Sequence, residues 1–168
     1  MPGEMHIRLK RAADGSSALT CVRADGSMTW QVQRGSLGLV FPTHDLTHYS
    51  VETSLGYSRG FYGLIASGWE IGDFAAPWPR GPIPPEAREV ELIVGLFDME
   101  LRSGEGWDAA AMLDAARTYV ASRHGKADVP LPKFDDVALQ RTRDLRADVF
   151  ARWEAVPPGG TLELTFRA

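Results

Sequence analysis

Between Phe41 and Glu52 the chain places His44 and His48 four residues apart, with Asp45 and Glu52 beside them. Residues at that spacing stack on one face of a helix, so both imidazoles point the same way. Two neutral imidazole nitrogens presented together are the start of a transition-metal site. Asp45 and Glu52 are the candidate catalytic carboxylates, as a general base or as groups that orient a ligating imidazole. The expected cofactor is a divalent transition metal (zinc, manganese or iron), which lowers the pKa of bound water and supplies a nucleophile near neutral pH. Without a metal the same residues are acid–base groups, or hydrogen-bonded residues of the core.

At about 100° per residue, His44, His48 and Glu52 fall in one sector of a helix, flanked by Val51 and Leu55. The opposite side, Thr47, Ser50, Thr53 and Ser54, is made mostly of small residues that let a neighbour approach closely. With no charged face for solvent, this helix is expected to be largely buried. His44 and Glu52 are separated by about 12 Å along the axis, too far for one metal to hold both with His48. A third ligand then comes from His124, Glu70, Asp73 or Glu91. Arg59 is the candidate contact for an anionic substrate, and Trp78, between two prolines, the candidate lid over it.

The frame that must position these residues begins with strands. His6–Lys10 alternates, Ala13–Ser16 turns, and Ala18–Arg23 resumes the extended pattern. Asp25-Gly26 is a two-residue hairpin signal, and Met28–Gln33 alternates beyond it. Pro42 and Thr43 read as a helix start, with Thr43 as N-cap, and the helix runs to about Thr53. A second helical stretch, Ser58–Ser67, carries Gly60 and Gly63, which imply close backbone packing because glycine inside a helix costs about 1 kcal/mol. Gly72–Pro85 is a rigid, proline-rich loop. Glu86–Arg102 is apolar nearly all round and belongs at the centre of the domain.

Trp107–His124 follows as an amphipathic helix ending at Gly125, and the last helix runs from Asp135 to about Val156. On it, Arg141, Arg143 and Arg146 alternate with Asp144 and Asp148 and read as a solvated face. Thr161–Arg167 alternates as a strand returning to the N-terminal sheet.

At 168 residues the chain is expected to be a single domain, 1–168, with a real core. A net charge of −4 and no basic stripe interleaved with aromatics exclude a phosphate-backbone binder, so no nucleic acid is expected. No apolar run approaches the roughly 20 residues that span a bilayer, so no membrane partner is expected. The N-terminus also lacks a secretory profile, and the expected location is cytoplasmic. The one cysteine, Cys21, cannot form an internal disulfide and reads as a small buried thiol.

The run Phe41-Pro-Thr-His-Asp-Leu-Thr-His-Tyr-Ser-Val-Glu52 resembles the signature of an uncharacterised family of small bacterial proteins. His44-Asp-Leu-Thr-His48 is also similar to the His-Asp-x-x-His core of the Coq4 ubiquinone-biosynthesis family, where it is associated with a metal. That motif continues to a glutamate where this sequence has Gly60.

The expected fold is α+β: a small antiparallel sheet, three N-terminal strands plus the C-terminal one, packed against about five helices. The expected function is a metal-dependent, hydrolase- or lyase-like enzyme acting on an unknown small molecule. The alternative is a non-catalytic binding or interaction protein with structural histidines, its Pro/Trp loop meeting a partner or a second copy in a homo-oligomer.

Overall fold

In the computed structural model, which describes residues 3–122 and 129–168, the alternating segments become β1 (Glu4–Arg11), β2 (Ser17–Val22), β3 (Met28–Gln33) and β4 (Thr161–Arg167). They form one antiparallel sheet in the order β3-β2-β1-β4. The register pairs Met5 with Phe166, Ile7 with Leu164 and Leu9 with Leu162, so large apolar side chains meet on one face. All six are buried, each worth roughly 1.5–3 kcal/mol against exposure. The expected α+β arrangement, with the C-terminal strand joining the N-terminal sheet, is what the chain forms.

The second hairpin is one residue longer than Asp25-Gly26 implied. The Arg23 N–H donates to the Ser27 carbonyl, closing Ala24-Asp25-Gly26. Asp25 accepts from the Ser27 N–H and hydroxyl, and Gly26 takes a φ of 85° that disfavours any side chain.

Helix α1 (Ser36–Leu55) starts well before Pro42, and Thr43 is not its N-cap. The Thr43 hydroxyl instead donates to the Val40 carbonyl inside the helix. Proline inside a helix removes one hydrogen bond and crowds the carbonyl four residues back, and here that residue is Gly38. A Cβ on Gly38 would lie 2.7 Å from the Gly15 carbonyl and 2.9 Å from that of Gln33. The first turn is thus docked onto the end of the sheet, a tertiary contact that outweighs the local proline signal. From Asp45 to Glu52 every residue of α1 is buried.

Helix α2 (Phe61–Ala66) is shorter than the sequence pattern; α3 (Pro85–Ser103), α4 (Ala109–Ala121) and α5 (Asp136–Glu154) follow it closely. The expected end of α4 at Gly125 lies outside the described residues. Two apolar clusters result. One joins the sheet to α1, α2 and α5 through Leu46, Tyr62, Ile65 and Val149; the other joins α3, α4 and α5 through Ile93, Phe97, Met112 and Leu139. Helices α1 and α5 contribute to both clusters, whereas α3 contributes only to the second and leaves Met99 and Leu101 exposed.

The small residues of α1 receive α5, and the hydroxyls of Ser54 and Thr142 meet at 2.6 Å. The expected solvated face of α5 holds for Arg141, Asp144 and Asp148, which are exposed, but not for Arg143 and Arg146. Arg146 is buried over the rings of Phe97 and Phe150, and Arg143 binds Glu100. Their long stems cover apolar surface where α5 crosses α3. No described helix is long and apolar enough to cross a membrane.

Candidate metal centre

His44 and His48 share the side of α1 that faces α3, and their ring centroids are 4.8 Å apart. Two carboxylates of α3, one helical face and seven residues apart, meet them. His48 Nε2 lies 3.0 Å from Glu91 Oε1, and His44 Nδ1 lies 3.7 Å from Asp98 Oδ2. One ligand atom each from His44, His48 and Glu91 fall within 4.8 Å of one another. Ligands about 2.1 Å from a tetrahedral zinc sit about 3.4 Å apart, so the longest side of the triangle must shorten by about 1.4 Å to close. The Glu91 side chain is 55% exposed, while His48 is held at 2%, so Glu91 is the ligand with room to move.

Behind His48 the geometry is tightly determined. Glu52, one turn further along α1, places Oε2 3.3 Å from His48 Nδ1. Its other oxygen accepts the N–H groups of Tyr62 and Gly63 at 2.9 and 3.2 Å, in the first turn of α2. A carboxylate at a helix N-terminus satisfies otherwise orphaned donors and sits at the positive end of the dipole. Gly60, which precedes α2, makes room for it: a Cβ there would stand 2.5 Å from Glu52 Oε1. The Tyr62 hydroxyl donates back to the Asp45 carbonyl at 3.1 Å, tying α2 to α1.

Burial alone would lower the pKa of His48, but Glu91 and Glu52 on either side of the ring outweigh it and push it up to about 10. Glu52 is raised from the usual carboxylate range by desolvation, against the pull of His48. Glu91 is lowered, because attraction to His48 and the hydrogen bond between them exceed its desolvation. Asp45 feels the charges of His48, His44 and Glu91, and its own charge adds to the desolvation that pushes the Cys21 thiol up to about 12. It is 8% exposed, among the described residues no group hydrogen-bonds its carboxyl, and desolvation raises its pKa to about 7.

The structure therefore brings together His44, His48 and Glu91 from the sequence candidates. Glu52 contacts His48 and no solvent, which suits an orienting group and denies it the access a base needs. Trp78 is exposed and lines a cavity of about 550 Å³ that also reaches Glu91. Arg59 is exposed at the entry to α2, where its backbone N–H donates to Glu86. Among the other proposed third ligands, Glu70 pairs with Arg23 and Asp73 with Arg80, both at 3.0 Å. His124 lies outside the described residues.

Asp98 was not among the sequence candidates; its only signal was its position seven residues after Glu91 on the same face of α3. Two imidazoles and a carboxylate are a donor set that suits zinc, ferrous iron or manganese. No protein-family model matches the chain, and no curated protein or solved structure matches it either.

Proposed function

We propose that His44, His48 and Glu91 hold a divalent transition metal and that the site carries out hydrolytic or lyase-like chemistry on a small molecule. The observation that carries this reading is the Glu52–His48 pair. Glu52 keeps a proton on Nδ1, which fixes the tautomer that leaves the Nε2 lone pair for a metal, and it locks the ring plane. A metal bound there lowers the pKa of a coordinated water towards neutrality. Glu91, which pairs with His48 Nε2 at 3.0 Å, would be the third ligand once that nitrogen gives up its proton to solvent. Asp98, one-third exposed beside His44, is the carboxylate placed to take a proton from water or substrate. Trp78 closes the far side of the adjoining cavity.

The test is metal content by inductively coupled plasma mass spectrometry after incubation with zinc, manganese or ferrous iron. About one metal per chain is expected in the parent, and little in folded His44→Ala or Glu91→Gln. No uptake by the parent removes the reading.

A second reading is a non-catalytic interaction protein. His48 as an imidazolium between Glu52 and Glu91 is satisfied without a metal. The edge strand β3 also presents Met28, Trp30 and Val32, with Trp30 65% exposed, on the face of the sheet away from the helices. On this reading a homo-oligomer or a partner covers β3, light scattering shows association, Trp30→Ser abolishes it, and no metal binds.

A further inference from the structure

Helix α3 turns Arg88, Glu91, Gly95, Met99 and Arg102 to one side. They line the cavity of about 550 Å³, whose remaining walls are largely apolar. A second cavity of about 310 Å³ lies beside it and is lined by His44 and Asp98. Arg102 lines both, so the two cavities flank the His44–His48–Glu91 triangle. The first is within the size range that takes a small organic ligand.

Two features of this groove bear on what it could hold. Gly95 sits inside α3, where glycine is a poor helix former, and a Cβ added to it would meet nothing within 4 Å. Unlike Gly38 and Gly60, it is not there to let a neighbour approach; it leaves space. The second feature is charge. Among the described residues Arg102 has no ion pair or hydrogen bond, although Asp98 stands one turn before it. The one side-chain hydrogen bond of Arg88 among the described residues goes from Nη1 to the Ile83 carbonyl at 3.1 Å. Among the described residues seven other arginines pair with carboxylates, whereas the exposed Arg34, Arg59 and Arg141 do not. A guanidinium beside apolar walls takes a carboxylate in a two-pronged hydrogen bond.

We propose that the groove binds an organic acid with an apolar body, its carboxylate on Arg102 and its chain lying over Gly95 against Leu92, Leu96 and Met99, so that its far end reaches Glu91. Arg102 and Glu91 are eleven residues apart, about 16 Å along the helix. The reach of the arginine side chain shortens that span, and a chain of roughly eight to twelve carbons covers the rest. The chemistry at Glu91 rests on the metal reading, but the binding does not.

Octanoate, octanol and octylamine, titrated calorimetrically into metal-free and zinc-loaded protein, test this directly. Octanoate is expected to bind metal-free protein at least tenfold more tightly than octanol or octylamine. Arg102→Gln weakens octanoate about tenfold and leaves octanol unchanged. Gly95→Leu abolishes both, and the milder Gly95→Ala, which favours the helix, weakens both should the leucine variant fail to fold. Equal binding of octanoate and octanol, tighter octylamine, or indifference to Arg102→Gln overturns the proposal. Octanoate binding without zinc uptake would uphold it while removing the metal reading; zinc uptake without octanoate binding would do the reverse.

Discussion

The two histidines of the site are one turn apart on the same helix, yet they stand in opposite regimes. His48 is 2% exposed, with a carboxylate at each ring nitrogen, one of them anchored on the first turn of α2. His44 is one-third exposed, and its nearest carboxylate, Asp98, is 3.7 Å away and equally open. The inner half is over-determined: removing one partner leaves another charge buried and unpaired. The outer half is loose, able to shift and exchange partners with solvent. A site that must hold one ligand rigidly and admit another group needs both, so inner-half substitutions should cost stability and outer-half substitutions binding.

The largest effect is expected for Glu52→Ala. It strips His48 and the N–H groups of Tyr62 and Gly63 of their partner, and should cost about 3–5 kcal/mol in chemical denaturation. A cost below about 1 kcal/mol would mean the inner half is not what anchors the site. Asp45→Asn tests the one inner carboxyl left without a hydrogen bond. Its pKa rises from 3.8 to about 7 on folding, so ionisation costs the fold nothing below pH 3.8. The penalty grows between those values and is complete above 7. At about 1.4 kcal/mol per unit, the variant should gain on the parent by a few kcal/mol on going from pH 4 to pH 8, read as a difference in Tm.

Gly60→Ala sharpens the comparison because the Gly60 backbone, at φ −80°, accepts any residue. Only the collision with Glu52 is at stake, an overpacking cost of about 1–3 kcal/mol, together with weaker zinc binding as the carboxylate leaves Nδ1. Unchanged stability would show that Glu52 has slack. His44→Ala should be the mildest for the fold, within about 1 kcal/mol of the parent in thermal unfolding, yet should lose metal almost entirely. A large loss of stability there would erase the distinction between the halves.

Much of this architecture could be read from local pattern. Thr161–Arg167 alternates because one face is buried, and Met28–Gln33 also forms a strand where its alternation lies, although there the apolar residues Met28, Trp30 and Val32 are the exposed ones. The stacking of His44 on His48, and the small-residue side of α1 that receives α5, follow from helical period alone. What escaped was tertiary. The start of α1 depends on Gly38 meeting the backbone of Gly15 and Gln33, which no neighbouring residue in sequence signals. Arg146 is of a residue type usual at surfaces and is buried because its guanidinium lies over Phe97 of α3 and over Phe150, one turn further along α5. Glu91 stood among four third-ligand candidates, and only the packing of α3 on α1 separates it from Glu70 and Asp73. Asp98 and Gly95 needed the facing helix before their spacing meant anything.

The central claim is that a metal replaces a proton on His48 Nε2. In the metal-free protein the stabilisation from the Glu52–His48–Glu91 arrangement is complete below pH 6.5 and lost as the pH rises through about 10. At pH 7.5 the ring is therefore protonated on both nitrogens before metal arrives. Calorimetric titration of zinc at that pH, in two buffers of different ionisation enthalpy, counts the protons released. The account predicts saturation at one zinc per chain with release of about one proton, both lost in His44→Ala. No binding, or binding with no proton released and no dependence on His44, would contradict it.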